Sequence, residues 1–245
     1  MRHVFETMGT VASIELPEEF RWTLPNVEAV CADVDERFSL YRSHSELSLV
    51  ASGALLLQDA SSTLRASYER SNEWRLATNG LFTAQRPDGV LDLSGIVKAE
   101  AIESAGSILD DAGCPAWTVN VGGDILVRGT ASQWMTGVAD PANEGLLLCS
   151  VALGGHRRAL ATSGSAQRGD HIWRGGELGP TQFVQVSVIA DDIVTADVLA
   201  TAIVAGGANA LDDIASRWPV DVLAVDRAGE LLATPGFRSA ITVAV

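Results

Sequence analysis

The sequence predicts an α+β fold in which helices pack against layered, mixed but mainly antiparallel sheets. Helix-like and strand-like segments are mixed along the chain, without the regular alternation that builds parallel sheets from βαβ units. Of the 245 residues, 47% are hydrophobic and 20% are charged, which allows a sizeable core and argues against disorder. This length allows one large or two small domains, but no linker, repeat or low-complexity tract divides the chain. We therefore expect a single domain over residues 1–245.

Apolar spacing and capping residues predict four helices. They span residues 25–41, 61–80, 94–114 and 195–207. In the first helix, apolar residues from Val27 to Phe38 recur at helical spacing. Serines precede the second helix and Gly80 follows it, while Gly113 closes the third, as capping residues commonly do.

Alternating or continuous short apolar runs predict the strands. Strands are expected within residues 10–16, in two pieces of 116–129, and within 134–141, 146–153, 158–164 and 183–192. A hairpin is expected over residues 220–237, with its turn near residues 227–229. The glycine-rich segment WRGGELGP, residues 173–180, is interpreted as a loop inside the domain.

The charge balance argues against two classes of partner. The chain has 31 acidic and 17 basic residues, which gives a formal net charge of −14 at pH 7. No basic stripe could neutralise the phosphates of nucleic acid or of an anionic membrane, so we expect neither as a partner. A ligand that carries phosphate would then need a metal ion, a helix N-terminus or backbone N–H groups.

The N-terminal segment and the cysteines favour a cytoplasmic protein. Glu6 and Glu15 interrupt the apolar runs near the start, so we expect no signal peptide. No segment has the about 18 uninterrupted apolar residues that are typical of a transmembrane helix. Cys31, Cys114 and Cys149 are odd in number and far apart, which suits buried thiols better than disulfides or a zinc site.

A carboxylate and a hydroxyl stand four residues apart on a helix that is otherwise apolar. Asp197 and Thr201 occupy the same face of the segment TADVLATAIVAGG. One interpretation is structural, with Thr201 bonded to its own helix and Asp197 near the positive end of the helix dipole. The other is a Mg²⁺ site, because Mg²⁺ prefers oxygen ligands and takes only one or two carboxylates from a protein.

The segment DLSGIVKAEAIE, residues 92–103, leaves a similar choice. Asp92 and Ser94 can cap the helix that follows, and Gly95 permits another group to approach the backbone closely. Lys98 lies one turn into this helix. It is either a solvated surface residue or a basic group able to reach an anion.

Three shorter features are weak when each is taken alone. Gly122 and Gly123 weaken a strand, unless they form a bulge or let a ligand touch the main chain. Ser163 and Gly164 can form an ordinary turn. His171 stands in a polar stretch, although a lone histidine is usually structural or solvated.

A series of short motifs along the chain matches one known family in order. The motifs are Met8-Gly9-Thr10, FSLYRSHSELS (38–48), NGLF (79–82), DLSGIVK (92–98), NVGGD (120–124), ATSG (161–164), His171 and TADVLATA (195–202). This series resembles the ApbE family, the FAD:protein FMN transferases, from about residue 4 to residue 237. The resemblance is specific because independent motifs match in the same order.

The resemblance implies an enzyme that cleaves the pyrophosphate of FAD, attaches FMN to a threonine or serine hydroxyl of an acceptor protein and releases AMP. It implies a divalent cation, normally Mg²⁺, held by the side chains of Asp197 and Thr201 and by the carbonyl of Gly95. His171 would lie beside the reacting phosphates, and His171 or a carboxylate, with Asp197 the candidate, would accept the proton of the hydroxyl. The implied FAD-binding positions are Met8, Tyr41, Leu81, Phe82, Thr83, Asp92, Lys98, Gly122, Gly123, Ser163, Gly164 and Ile172.

Some positions depart from the usual pattern of the family. Lys98 is followed by Ala99 rather than by glycine, and Phe82 by Thr83 rather than by aspartate. After His171 the family tends to have Ile-Asp-Pro and then Thr-Gly, whereas this chain has Ile172-Trp173-Arg174-Gly175-Gly176. Because the metal pair is intact, the alternative to a transferase is a protein that binds or stores FAD, or a Mg²⁺-dependent FAD pyrophosphatase.

Overall fold

The structure is a computed structural model that describes residues 1–129, 134–143, 145–164, 173–174, 177–178 and 181–244. The helices in these residues are α1 (Leu24–Phe38), α2 (Glu46–Ala51), α3 (Ser62–Ala77), α4 (Ser94–Asp111), α5 (Ile193–Arg217) and α6 (Pro235–Ala240). The strands are β1 (Arg2–Thr7), β2 (Thr10–Glu15), β3 (Trp117–Val121), β4 (Asp124–Arg128), β5 (Trp134–Ala139), β6 (Leu147–Leu153), β7 (Ala159–Gly164), β8 (Trp173–Arg174), β9 (Glu177–Leu178), β10 (Phe183–Ala190), β11 (Asp221–Asp226), β12 (Leu231–Ala233) and β13 (Ile241–Ala244).

An eight-stranded sheet with the order β1-β2-β3-β4-β7-β10-β11-β12 forms the middle of the fold. Each neighbouring pair in this sheet is antiparallel. A smaller sheet with the order β13-β6-β5 is also antiparallel. The prediction of an α+β fold with mainly antiparallel sheets is therefore confirmed.

The eight-stranded sheet lies between two hydrophobic cores, because side chains alternate between the two faces of each strand. On the helix-facing side, Leu126 and Ala161 pack in one core with residues of α1, α4 and α5. On the opposite side, Val127 and Leu160 pack in a second core with the small sheet and with Phe237 of α6. The site described below lies on the helix-facing side.

Helix α5 is the central element of the helix-facing core, and most of its residues are buried. Its length and a mean hydropathy of 1.5 would suffice to cross a membrane, but 72% of this window is buried inside the fold, which identifies a core helix. At Gly207 (φ 69°, ψ −155°) the helix kinks, and the side-chain oxygen of Gln182 accepts the N–H of Ala208 at 2.9 Å. The sequence predicted that the helix ends at this glycine, but the helix resumes after the kink and ends at Arg217.

Most of the other predicted elements are present at about their predicted positions. The loop predicted over residues 173–180 is wrong in part, because β8 and β9 pair there as two short antiparallel strands. Strands β1 and β13 and helices α2 and α6 were not predicted. The three cysteines are free and buried, as expected.

Candidate functional site

Two tight turns lie side by side at one end of the eight-stranded sheet. Met8 and Gly9 join β1 to β2, and Gly122 and Gly123 join β3 to β4, with positive φ at all four residues. Positive φ at both central residues is typical of the type I′ turn, whose twist matches that of the strands. A Cβ atom on Gly122 would lie 2.9 Å from the hydroxyl oxygen of Thr10, so the two turns are in close contact.

This geometry explains the glycine pair without a bulge. The register passes from the pair Val121–Asp124 directly into the ladder between β3 and β4, so the bulge interpretation is wrong. The positive φ of Gly122 and the close approach of Thr10 both favour glycine at this position. That FAD approaches the main chain at Gly122 and Gly123 stays a prediction.

A buried carboxylate follows the glycine turn directly. Asp124 is the first residue of β4, and it is fully buried. Its Oδ2 lies 2.5 Å from Nζ of Lys98 on α4, and its Oδ1 accepts the N–H of Thr162 on β7 at 3.0 Å. The Lys98 side chain is only 20% exposed, so the interpretation of Lys98 as a solvated surface residue is wrong. Its role in binding an anionic ligand stays a prediction.

A second polar contact joins β7 to the central helix. The hydroxyl oxygens of Ser163 and Thr201 lie 2.9 Å apart. Asp197 is one helical turn before Thr201, and it is 4% exposed. Asp197 does not cap α5, because Asp192 is the N-cap and accepts the N–H of Thr195 at 2.7 Å. The two residues predicted to bind a cation therefore stand on a buried part of the helix, with Thr201 held against the sheet.

The start of α4 is held by a carboxylate and an aromatic ring. Asp92 Oδ1 accepts the N–H of Ser94, the first residue of the helix, at 3.0 Å. A Cβ atom on Gly95 would lie 3.3 Å from the ring of Phe82, so this ring is the group that approaches the backbone closely. Asp92 thus binds the first residue of the helix, but the N-cap is Leu93, which makes no side-chain cap bond. Because Ser94 lies inside the helix, the prediction that Ser94 caps α4 is wrong.

The other predicted residues are placed as follows. Leu81 lies against Gly206 of α5, since a Cβ atom on that glycine would be 3.0 Å from it. The hydroxyl of Thr83 accepts the N–H of Gln85 at 3.1 Å. Tyr41 is fully exposed.

The motif ATSG lies in a strand of the eight-stranded sheet. Ser163 and Gly164 belong to β7 and pair with β10, so the interpretation of an ordinary turn is wrong. A Cβ atom on Gly164 would lie 2.2 Å from the carbonyl oxygen of Val184, which explains the glycine. His171 and Ile172 lie outside the described residues.

The donor atoms at Asp197 and Thr201 suit a hard cation. One carboxylate, one hydroxyl and a backbone carbonyl are oxygen ligands, which Mg²⁺ prefers while it keeps water or phosphate for its other positions. The described residues contain no group of three or more His, Cys, Asp or Glu able to hold a metal, so a cation here would depend on hydroxyl and carbonyl oxygens as well. Helices α4 and α5 pack against each other, so Gly95 and Asp197 are on neighbouring helices. The residues therefore fit Mg²⁺.

Asp124 and Thr162 are the site residues that sequence reasoning missed. Asp124 is separated from Thr162 by 38 positions along the chain, so no local pattern links the two. One signal was present, because an aspartate that opens the apolar strand DILV directly after two glycines is unusual for a buried segment.

Comparison with known sequences gives a family. A sequence model described as the ApbE family matches residues 83–225, which is more than half of the chain. No curated protein matches the chain.

Comparison with solved structures gives the same fold over nearly the whole chain. The flavinyl transferase ApbE of Pseudomonas stutzeri in its apo form has a TM-score of 0.81 and 17% identity, with 100% of this chain and 97% of that chain covered. The ApbE protein of Thermotoga maritima has a TM-score of 0.79 and 17% identity, with 98% of each chain covered. The flavin transferase ApbE of Vibrio cholerae has a TM-score of 0.77 and 18% identity, with 98% of each chain covered.

Proposed function

This chain belongs to the ApbE family, and we propose that it is a Mg²⁺-dependent FAD:protein FMN transferase. In the proposed reaction, a threonine or serine hydroxyl of an acceptor protein attacks the phosphorus of the FMN half of FAD. A bond forms between the hydroxyl oxygen and this phosphorus, and the bond from this phosphorus to the bridging oxygen breaks. AMP leaves with the electron pair of that bond, and the hydroxyl proton passes to a base.

One observation carries the proposal. Two adjacent residues of β7, which lies in an apolar core, each make a polar contact with a candidate site residue. Thr162 donates its N–H to Asp124, which also contacts the ammonium group of Lys98. The next residue, Ser163, contacts Thr201. A cationic side chain and a set of oxygen donors are thus fixed to the same strand, as a diphosphate and its counter-ion require.

The residues of the chain have separate tasks in this proposal. Asp197, Thr201 and the carbonyl of Gly95 would hold Mg²⁺, which when bound neutralises the charge that develops on phosphate oxygens. The Lys98 ammonium has three N–H donors. Its Nζ lies 2.5 Å from Asp124 Oδ2, and in the proposal the same ammonium group also binds a phosphate oxygen. This cation matters more in a chain whose net charge is −14.

Two groups are candidates for the base that receives the hydroxyl proton. His171 is neutral near pH 7 in its ordinary state and can accept a proton on a ring nitrogen. Asp197 can accept one on its carboxylate, but a carboxylate that also holds a cation is the weaker base. We therefore propose His171 as the base.

A FAD pyrophosphatase is the second candidate function. Thr83 stands where the family usually has aspartate, so this position has no carboxylate, and its hydroxyl accepts the N–H of Gln85 instead. If this change prevents the acceptor protein from binding, water attacks the same phosphorus. The products are then free FMN and AMP.

The test is an incubation of the purified chain with FAD, Mg²⁺ and a candidate acceptor protein that carries an exposed threonine. We expect flavin fluorescence that stays with the acceptor band after denaturing electrophoresis, together with release of AMP measured by chromatography. EDTA should abolish both signals. The same acceptor with its threonine replaced by valine is the matched control, and it should release AMP slowly or not at all.

The other outcomes separate the alternatives. AMP and free FMN without labelled acceptor would identify a pyrophosphatase, and FAD binding without AMP would identify a binding or storage protein. We also propose a cytoplasmic location, which the three free cysteines support, and an absence of nucleic acid and membrane partners, which the net charge supports.

A further inference from the structure

Two ion pairs join α4 to β4, one at each end of the strand. At the end near the glycine turn, Lys98 of α4 contacts Asp124 of β4, and the carboxylate is fully buried. At the other end, Asp110 of α4 contacts Arg128 of β4, and both side chains are partly exposed, at 26% and 48%. The same helix and strand thus carry one buried and one exposed pair.

The buried pair is costly and is not explained by stability. Removing a carboxylate and an ammonium from water carries a large desolvation penalty, and apolar residues of similar volume often stabilise a fold as well or better. The exposed pair avoids this penalty, although it joins the same two elements. The placement of Asp124 therefore indicates a task other than fastening α4 to the sheet.

The side chain of Asp124 also accepts a backbone N–H of β7, as a backbone carbonyl would in a regular strand pair. The pairing between β4 and β7 consists of Ile125–Leu160 and Leu126–Ala159. Just beyond it, Oδ1 of Asp124 accepts the N–H of Thr162, so the side chain extends the contact between the strands by one bond. This bond fixes the segment of β7 that includes Ser163, whose hydroxyl contacts Thr201.

We propose that Asp124 is a positioning residue which orients the Lys98 ammonium with one oxygen and fixes the Ser163–Thr201 contact with the other. This inference rests on the proposed function, in which Lys98 binds a phosphate of FAD and Thr201 binds Mg²⁺. Asp124 itself touches neither ligand in this scheme. Its carboxylate sets the distance between the two groups that do.

The first experiment is a double-mutant cycle on FAD affinity, measured by flavin fluorescence in EDTA. We expect Asp124→Asn and Lys98→Met each to weaken FAD binding about 10-fold to 100-fold, the size of effect known for partners that orient metal ligands. If Asp124 acts through Lys98, the double variant loses no more than the weaker-binding single variant. Losses that multiply in the double variant would overturn the proposal.

The second measurement tests the other oxygen of Asp124. In the transfer or AMP-release assay, Asp124→Asn should raise the Mg²⁺ concentration for half-maximal rate, while Lys98→Met should leave it unchanged. Equal Mg²⁺ dependence of wild type and Asp124→Asn would overturn this part. Asp110→Asn is the matched control on the same helix, and both its FAD affinity and its Mg²⁺ dependence should equal those of wild type.

The design remains decisive if the single variant does not fold. Lys98→Met with Asp124→Leu replaces the pair by apolar groups, which folded proteins commonly tolerate. If this variant folds and keeps wild-type FAD affinity, the proposal is overturned. The double-mutant cycle requires only that the wild-type protein binds FAD. If wild type binds FAD but does not label an acceptor, the proposed transferase activity is refuted, and the test of Asp124 is still valid. A wild type that binds no FAD refutes both.

Discussion

The two faces of the eight-stranded sheet are packed by different chemistry. Both carboxylates that are buried in the described residues, Asp124 and Asp197, belong to the helix-facing side. On the side of the small sheet, the buried polar residues Thr136, Gln185 and Ser187 are neutral, and the side chains of the last two each have a hydrogen-bond partner. Because burying a charge costs far more than burying a bonded neutral group, the helix-facing core accepts a cost that the other core avoids. We attribute this difference to function on one side and to stability alone on the other.

The largest expected effect tests the side assigned to stability. Phe237 of α6 is fully buried in the small-sheet core, and Phe237→Ala should lower the free energy of unfolding by about 3–5 kcal/mol. The protein that remains folded at low temperature should keep its wild-type kcat/KM for FAD. Denaturant unfolding and the transfer assay measure the two quantities, and Phe237→Leu should recover much of the stability. A loss of activity in the folded fraction would contradict the division between the faces.

The second effect tests the side assigned to function. Asp197→Ala should reduce transfer at least about 100-fold, or about 2.7 kcal/mol, because a cation loses one of its few protein ligands. The matched control is Asp192→Asn at the N-cap of the same helix, which should keep its activity, since asparagine also caps helices well. If Asp197→Ala melted earlier but kept its Mg²⁺-dependent rate, the metal assignment would fail.

The fold was largely predictable because most of its signals are local. Ser61 caps α3 through the N–H of Leu64, and the glycine after α4 has a positive φ, as the sequence indicated. Strand β13 was missed because its partner β6 is distant in the chain, as the bond from Thr242 to Ser150 across 92 positions shows. Such pairing leaves no short-range pattern.

The candidate site also contains residues that a local sequence pattern predicts and residues that it does not. Asp197 and Thr201 could be found from their spacing on one helix, because residues four apart share a face. Asp124 could not, because its significance comes from burial and from contacts with Lys98 and Thr162, which belong to other elements. Likewise, the positive φ of Gly122 and its close contact with Thr10 become visible only in the structure.

A third, smaller effect on stability is expected at the turn between β3 and β4, at one end of the eight-stranded sheet. Gly122 and Gly123 both have positive φ, so Gly122→Ala and Gly123→Ala should each cost about 1–2 kcal/mol of unfolding free energy. Gly122→Ala should cost more, because its Cβ would lie 2.9 Å from the Thr10 hydroxyl, while nothing lies within 4 Å at Gly123. Denaturant unfolding of both variants provides the comparison, with Gly123→Ala as the control. Equal losses would show that Thr10 moves aside freely.

The smallest expected effect on the unfolding free energy comes from the ionisation of two buried cysteines, one on each side of the sheet. In the helix layer, burial and the neighbouring Glu28 carboxylate raise the pKa of Cys31 from 9.0 to about 11. In the small-sheet core, burial alone raises the pKa of Cys149. Below pH 9 the thiol is protonated in both the folded and the unfolded chain, so its titration does not change stability. As the pH rises through 9.0, the unfolded chain releases the Cys31 proton first, and the free energy of unfolding falls until the folded thiol also ionises near pH 11.

The measurement is the pH dependence of the unfolding free energy from pH 7 to pH 11 for wild type, Cys31→Ala and Cys149→Ala. The cavity left by alanine lowers each variant's curve by an amount that does not depend on pH, so only the slopes are compared. Above pH 9, the fall should be shallower in Cys31→Ala than in wild type. Cys149→Ala should change the slope less, because no acidic neighbour adds to the effect of burial there. Parallel curves for wild type and Cys31→Ala would show that Cys31 ionises alike in both states, and that neither burial nor Glu28 raises the pKa of its thiol.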